Sequence, residues 1–455
     1  MHKRFLIELA GIVQGVGFRP YIFRLANRLE LSGFVNNDSN GVLIEIEGNP
    51  DLLQQFIATL KFKPPPLSQI TRVDIREIPN KYQSQFRIIE SNVSQQKNTL
   101  ISPDISTCDD CNIELLDPKN RRYLYPFINC TNCGPRYTII SDIPYDRANT
   151  SMSQFKMCKK CQSEYEDPIN RRFHAQPNAC PNCGPSLVFL NKNKIENTND
   201  PINELCRAII SGQIAAIKGI GGFHLSVDAN NNDAVHNLRL KKNRFEKPLA
   251  LMVKDLKTAA KYAYIDDAKK IQLSNLQRPI VLCRKNENNG LSPEISIDND
   301  YFGLMLPYSP LHEMLFKSGS PDVLVMTSAN ISEDPICFEN EECIKRMGGI
   351  ADCYLFHNRD IYIRCDDSVM DTIENRPFFL RRSRGYSPKP VILLNSGRSV
   401  LAVGGHLKNT VCLTKKNLAF ISQYIGDLEN LKTLTVFEHT IQHLQKLFSF
   451  LCWYY

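Results

Sequence analysis

Cys108-x2-Cys111-x18-Cys130-x2-Cys133 and Cys158-x2-Cys161-x18-Cys180-x2-Cys183 are cysteine quartets of identical spacing, set 50 residues apart. Each places two C-x2-C knuckles at the separation of a tetrahedral four-thiolate zinc site. The flanks repeat in register: Asp117-Pro118 with Asp167-Pro168, Asn120-Arg121-Arg122 with Asn170-Arg171-Arg172, and Cys133-Gly134-Pro135 with Cys183-Gly184-Pro185. Chance does not copy cysteines together with their neighbours, so residues 105–188 read as a duplicated module holding two structural Zn2+ ions. A disulfide framework is the competing reading, but it belongs to secreted chains and nothing here signals secretion. With four thiolates per site no coordination position stays open, so the metal folds the segment, contributing roughly 10–16 kcal/mol per site. The spacing leaves open whether the cysteine pairs are consecutive or exchanged. His174, beside a filled quartet, reads as a non-ligand. Arg121, Arg122, Arg171 and Arg172 read either as nucleic-acid contacts or as solvated-loop or inter-domain contacts.

The chain is long enough, at 455 residues, for about three domains, and its 42% hydrophobic content excludes disorder as the default. Fifty-five Lys and Arg against 48 Asp and Glu leave a net charge of +7, which suits anionic small molecules or a patch of RNA without demanding nucleic acid. Of the 16 cysteines, those outside the quartets are scattered without pattern, as in a reducing cytoplasm. Phe5-Leu6-Ile7 does not make a signal peptide, because Glu8 interrupts it and no small-residue cleavage site follows. No run nears ~18 apolar residues, so no membrane span is expected. The apolar end, 447–455, reads as truncation or a frameshift.

Residues 1–91 alternate short strands with two helical patterns. Residues 5–10 read as a strand; Pro20 opens a helix carried by Ile22, Leu25, Ala26 and Leu29. Residues 32–37 and 42–47 flank Asp38-Ser39-Asn40-Gly41, a turn between paired strands. Residues 52–60 form a second helix, and 72–78 and 85–89 further strands. The order βαββαβ with an added strand makes a ferredoxin-like α+β sandwich. Residues 91–107 read as a polar linker and 191–200 as a boundary rich in Asn and Lys. Residues 200–390 mix apolar strand runs (214–217, 249–253, 323–326) with helical segments, an α/β pattern. A strand-rich stretch begins at about Val400.

Gly11-Ile12-Val13-Gln14-Gly15-Val16-Gly17-Phe18-Arg19 lies between the first strand and first helix. Its glycines let successive N–H groups (Gln14, Gly15, Val16, Gly17, Phe18) converge on an anion, and Arg19 adds a planar fork for two phosphate oxygens. A plain tight turn is the alternative. The string resembles the acylphosphatase signature, as does Gly33-Phe34-Val35-Asn36-Asn37. The resemblance implies that Arg19 binds the phosphoryl group and Asn37 orients the attacking water. An amide takes no proton at neutral pH, which leaves the substrate's own phosphate as proton acceptor.

In 200–390, Gly219-Ile220-Gly221-Gly222 after a strand is either a ligand approach or a bare turn. Arg239, Lys241, Lys242, Arg244 and Lys247 crowd together before Pro248, a run that on its own reads as a solvated face. Thr327-Ser328-Ala329-Asn330 ends a strand in small polar groups; Arg364-Cys365-Asp366-Asp367-Ser368-Val369 and Arg381-Arg382-Ser383-Arg384-Gly385-Tyr386 complete the polar set. Jointly these strings resemble the YrdC nucleotide-binding family, whose Lys-x-Arg-x-x-Lys-Pro element matches Lys242, Arg244, Lys247 and Pro248 and whose Ser-Ala-Asn element matches Ser328, Ala329 and Asn330. The resemblance implies joining of a carbamate-type acid to AMP from ATP, with Mg2+ and release of pyrophosphate. Lys242, Arg244, Lys247 and Arg384 would neutralise phosphates; Ser328 and Asn330 would fix the carbamate or the α-phosphate.

Acylphosphatase-like domain, doubled zinc module and YrdC-like domain, in that order, resemble the HypF family of hydrogenase maturation carbamoyltransferases. Residues 401–410 and 422–429 resemble the opening of that family's last, carbamoyl-transferring domain, placed at 398–455. The resemblance implies a cytoplasmic, multidomain α+β and α/β enzyme. It would hydrolyse carbamoyl phosphate to carbamate, activate it with ATP as carbamoyl adenylate, and pass the carbamoyl group to the C-terminal cysteine of HypE for cyanide-ligand synthesis. The family continues past residue 455, with its metal-binding histidines there, so hydrolysis and adenylation are what the resemblance implies for this chain alone. His439 and His443, spaced i, i+4, lie off that motif and read as a solvated helix face. Rival readings are a zinc-containing double-stranded RNA-binding protein using the basic run, a threonylcarbamoyl-adenylate synthase for tRNA, and an inactive fragment.

Overall fold

A computed structural model describes residues 2–38, 41–65, 67–89, 100–143, 145–191, 194–195, 198–287, 289–331 and 334–448. The expected turn residues Ser39 and Asn40 and the terminal stretch from 449 lie outside the described residues.

The first unit is a five-stranded sheet of β1 (Lys3–Ile12), β2 (Ser32–Asp38), β3 (Gly41–Gly48), β4 (Gln69–Glu77) and β5 (Phe86–Ile88), in the order β4-β1-β3-β2-β5. Helices Phe18–Arg28 and Pro50–Phe62 cover one face. Alternation in β1 and β3 turns Ile7, Leu9, Ile44 and Ile46 inward against Ile22 and Phe56, all buried. Only β5 runs parallel to its neighbour, β2. This is the expected ferredoxin-like order with its extra strand.

Eleven further strands form one mixed sheet: β6 (Leu187–Asn191), β7 (Lys194–Ile195), β8 (Ala215–Lys218), β9 (Phe223–Asp228), β10 (Ala250–Val253), β11 (Ile280–Arg284), β12 (Tyr301–Met305), β13 (Val323–Ser328), β14 (Cys353–His357), β15 (Val369–Ile373) and β16 (Arg376–Arg381). Their order is β16-β15-β11-β12-β10-β13-β9-β8-β14-β6-β7. β8, β9 and β13 are buried at nearly every position because both faces are covered. A three-stranded sheet follows, β17 (Val391–Gly397), β18 (Leu401–Ala402) and β19 (Cys412–Ile421), with helix Leu431–Phe448. Among the described residues no helix is long and apolar enough to cross a membrane.

Three expectations change. The second half of the supposed polar linker, Leu100 to Thr107, is buried apart from its ends being open to 8% at most: Leu100 and Ile101 join the first core, and Ile105 pairs with Gly134. The Asn- and Lys-rich stretch is no boundary at its start, since β6 reaches Asn191 and pairs with β14 in the large sheet. His443 is buried at 4% exposure between Tyr137 and Tyr362, whereas its neighbour His439 is exposed; the helix's apolar side, with Leu444 and Leu447, carries His443 inward.

Candidate active site and zinc centres

The Gly11–Arg19 string forms the turn from β1 into helix Phe18–Arg28. Gly15 (φ 69°) and Gly17 (φ 72°) are left-handed, and Gly17 caps the helix. A Cβ on Gly15 would stand 2.9 Å from the Tyr145 ring, and one on Gly17 2.9 Å from Thr131 Oγ1. Both partners belong to the zinc-bearing segment, which therefore closes over the turn. Gln14 Nε2 donates to the Gly41 carbonyl at 2.8 Å, tying the turn to β3. Arg19 and Asn37 line one cavity with Gln14, Gly15, Gly17 and Phe18; Val16 is wholly buried behind it. Asn37 Oδ1 is buried without a hydrogen-bond partner. Burial draws the Arg19 guanidinium down from its ordinary value, while Asp146 and Tyr165 hold it up.

The opposite wall carries no signal in the sequence: Thr131, Arg136, Tyr145, His174 and Gln176. Arg136 is 2% exposed and donates to the Gly15 carbonyl at 3.3 Å and to the carbonyls of Cys130 (3.1 Å) and Thr131 (3.0 Å). Its own N–H meets Asp104 Oδ1 at 2.7 Å, and Thr138 Oγ1 donates to the same oxygen at 2.8 Å. Burial pushes the Asp104 carboxyl up, against those hydrogen bonds.

Each cysteine quartet closes on itself, so the pairs are consecutive, not exchanged: Cys108, Cys111, Cys130 and Cys133 form one cluster and Cys158, Cys161, Cys180 and Cys183 the other. Neighbouring sulfurs are 3.5–3.8 Å apart in both. A tetrahedron with Zn–S bonds of about 2.3 Å has edges of roughly 3.8 Å. The residues fit zinc. What is exchanged is the arginines. Arg121 of the first half donates to Cys161 Sγ of the second at 3.0 Å and to Glu164 at 2.8 Å. Arg171 of the second half donates to Cys111 Sγ of the first at 3.3 Å and to Glu114 at 2.9 Å. Arg122 and Arg172, nearly fully buried, pair with the same two carboxylates. The Asn-Arg-Arg triplets are thus contacts between the halves, turned away from solvent, and His174 is no ligand.

In the large sheet, β13 delivers Ser328 and the following Asn330 to the end of helix Asn232–Lys242. Lys242 Nζ donates to the Ser328 carbonyl (2.7 Å) and to Asn330 Oδ1 (2.7 Å), and Ser328 Oγ donates to that same Oδ1 at 2.8 Å. Arg244 reaches Thr327 Oγ1 at 3.1 Å. Burial, then Arg244, pulls Lys242 down to about 7; burial, then Arg239 and Arg381, pulls Arg244 to about 10. Lys247 is exposed; its carbonyl accepts from Arg244 Nε at 3.2 Å, while its ammonium makes no hydrogen bond or ion pair among the described residues. The basic run is therefore no solvated stripe: Arg239 and Lys242 are 2% and 3% exposed. Arg384, expected beside the phosphates, has its guanidinium taken by protein groups. It is 1% exposed, its Nε on Asp367 (2.5 Å) and its terminal nitrogens on the Gln277 (2.9 Å) and Arg278 (2.8 Å) carbonyls. Because a buried guanidinium must be paired, Asp367 takes it, with His224 at 2.9 Å on the other oxygen. Gly219 N–H donates to Gly222 O at 2.8 Å, and a Cβ on Gly221 would stand 2.1 Å from the Cys365 carbonyl, so that string is a tight packed turn. Arg364, buried with Nη2 unpartnered, carries its charge beside Asp366 and was not among the expected site residues.

Residues 5–88 match the acylphosphatase family, 107–140 and 157–190 the HypF finger, 207–383 the family described as telomere recombination, and 395–452 the HypF Kae1-like domain. Carbamoyltransferase HypF2 of Cupriavidus necator is 47% identical over 98% of the chain, and carbamoyltransferase HypF of Synechocystis sp. 44% over 99%. A crystal structure of full-length HypF in the phosphate- and nucleotide-bound form superposes with a TM-score of 0.94 at 46% identity, covering 99% of this chain and 59% of that one. The chain spans 58% and 59% of the length of the two curated relatives. An acylphosphatase of Ligilactobacillus salivarius, 97% of whose length is covered, is 40% identical. Cradle, doubled four-cysteine centres and strand-end lysine cluster, in this order and at this similarity, place the chain in the HypF carbamoyltransferase family.

Proposed function

We propose that this chain hydrolyses carbamoyl phosphate to carbamate and phosphate in the Arg19 cradle and joins the carbamate to AMP from ATP at the Lys242 cluster, releasing pyrophosphate. The observation that carries the first step is the shared cavity of Arg19 and Asn37 behind the Gly15 and Gly17 turn. Arg19, whose guanidinium makes no hydrogen bond or ion pair among the described residues, takes two phosphoryl oxygens; the N–H groups from Gln14 to Phe18 take the third. The free Oδ1 of Asn37 accepts from the attacking water and aims its lone pair at phosphorus. The water's proton passes to the substrate's own phosphate, because the Asn37 amide takes none.

For the second step, Lys242, Arg244 and the free Lys247 face a nucleotide whose charge Mg2+ partly neutralises, and Ser328 and Asn330 hold the carbamate against the α-phosphorus. Carbamate is short-lived in water, which favours both steps in one polypeptide. Zn2+ in the two quartets would hold the middle segment folded and the cradle's second wall in place. Transfer of the carbamoyl group to the C-terminal cysteine of HypE, with release of AMP, belongs to the same reading, in a cytoplasmic setting. We assign the extents 1–91, 105–188, 200–390 and 398–455 to its four parts. The test is ATP–pyrophosphate exchange with and without carbamoyl phosphate. Exchange that requires carbamoyl phosphate supports the reading; exchange without it, or none, overturns it.

A further inference from the structure

We propose that His174, carried by the second zinc-binding half, is a specificity-determining residue of the phosphoryl cradle that hydrogen-bonds the carbamoyl end of the substrate. The inference rests on the acylphosphatase reading above and extends it to the choice of acyl group.

His174 lines the same cavity as Arg19 and Asn37, facing them from the zinc-bearing segment. Its ring is clamped by Tyr165, with centroids 4.8 Å apart, and by Phe173, 4.4 Å away. The Tyr165 hydroxyl is itself fixed, donating to Gln176 Oε1 at 2.7 Å. The imidazole is therefore held in one orientation at the wall opposite the loop.

The duplication supplies an internal comparison. Fifty residues earlier, Leu124 occupies the equivalent place in the first half. Both residues are left-handed, at φ 51° and 49°, and their N–H groups make matching bonds to the Leu115 and Tyr165 carbonyls. The backbone is thus a property of the module. The side chains differ with their surroundings: Leu124 is 41% exposed to solvent, whereas His174 meets the cradle. Module folding does not demand a histidine there.

Burial, then the neighbouring Arg19, draws the His174 imidazole down to about 4, so it is neutral at neutral pH. A neutral imidazole offers one N–H donor and one acceptor. That set complements a carbamoyl group, which has an NH2 and a carbonyl, better than an acetyl group of the same shape, whose methyl donates nothing. Sites built to bond a substrate polar group reject the analogue that lacks it, because the site is then left unpaired.

The experiment compares kcat/KM for carbamoyl phosphate and acetyl phosphate in the full chain, zinc-loaded, for wild type, H174L, H174G and H174N. H174L copies the residue of the first half; H174G suits the positive φ and removes the side chain without backbone strain. We expect the carbamoyl-to-acetyl ratio to fall at least tenfold in H174L and H174G, through a raised KM for carbamoyl phosphate, and to be largely kept in H174N. Should H174L not fold, H174G decides. An unchanged ratio in the folded variants overturns the inference. If wild type hydrolyses neither compound, or R19A hydrolyses both at the wild-type rate, the acylphosphatase reading itself fails, a separate outcome.

Discussion

Arg121 Nη2 stands 3.0 Å from Cys161 Sγ, so a guanidinium of the first zinc half braces a thiolate of the second. Arg171 returns the favour at Cys111, 3.3 Å away. Four thiolates around one Zn2+ carry a net charge of −2, and a buried or half-buried cluster of that charge is stabilised by a fixed cation beside it.

Arg121→Ala should accordingly weaken the second site and leave the first nearly intact, while Arg171→Ala does the reverse. Outer partners of metal ligands are worth about 10–100-fold in affinity. Against a chelator, each variant should lose one zinc at least tenfold faster than the other. Uniform release of both ions would contradict the cross-bracing.

Arg19→Ala removes the planar fork of the cradle but no structural hydrogen bond. We expect acyl-phosphate hydrolysis to fall by about a hundredfold or more, with the thermal midpoint unchanged. Carbamoyl-phosphate-dependent pyrophosphate exchange should fall with it, as read by radiolabelled pyrophosphate incorporation.

Gly17→Val meets two penalties at once. Its φ of 72° is costly for a β-branched residue, about 1–2 kcal/mol, and the added Cβ would collide with Thr131 Oγ1 at 2.9 Å. Loss of cradle activity should come with a lower thermal midpoint, and the zinc content should stay at wild-type level.

His312 predicts acid lability. It is wholly buried with both ring nitrogens unpartnered, and burial, then His224, draws it down to about 3. The unfolded imidazole takes its proton near 6.5, so between about 6.5 and 3 the unfolded chain binds more protons than the folded one. Stability is therefore lost as pH falls through that window. His312→Phe should flatten the loss in urea titrations run from pH 7 to pH 4; an unchanged slope would argue against it.

What the sequence disclosed was local. The glycines and Arg19 sit at one strand-to-helix turn and Asn37 on the next strand, and cysteine spacing is written along the chain, so the cradle loop and both quartets are legible. The far wall was not, because His174 and Thr131 come from more than a hundred residues away and carry no spacing relative to Arg19. Asp104 looked like linker chemistry since its partners, Arg136 and Thr138, are set by tertiary folding. Arg384 matched a polar string, but a string does not say that Asp367 will claim the guanidinium. His443 reads as solvated in the sequence because a helix face shows there only which residues share it, not what packs against it.

The traded arginines carry one last implication. Severed from its twin, either half would keep four sulfurs without their cation and a guanidinium pair without its anion, so neither is electrostatically complete alone. Two separate copies could satisfy both needs only by pairing about a twofold axis. The duplicated segment is, in effect, a symmetric dimer strung on a single thread, and deleting one half should cost the other its fold as well.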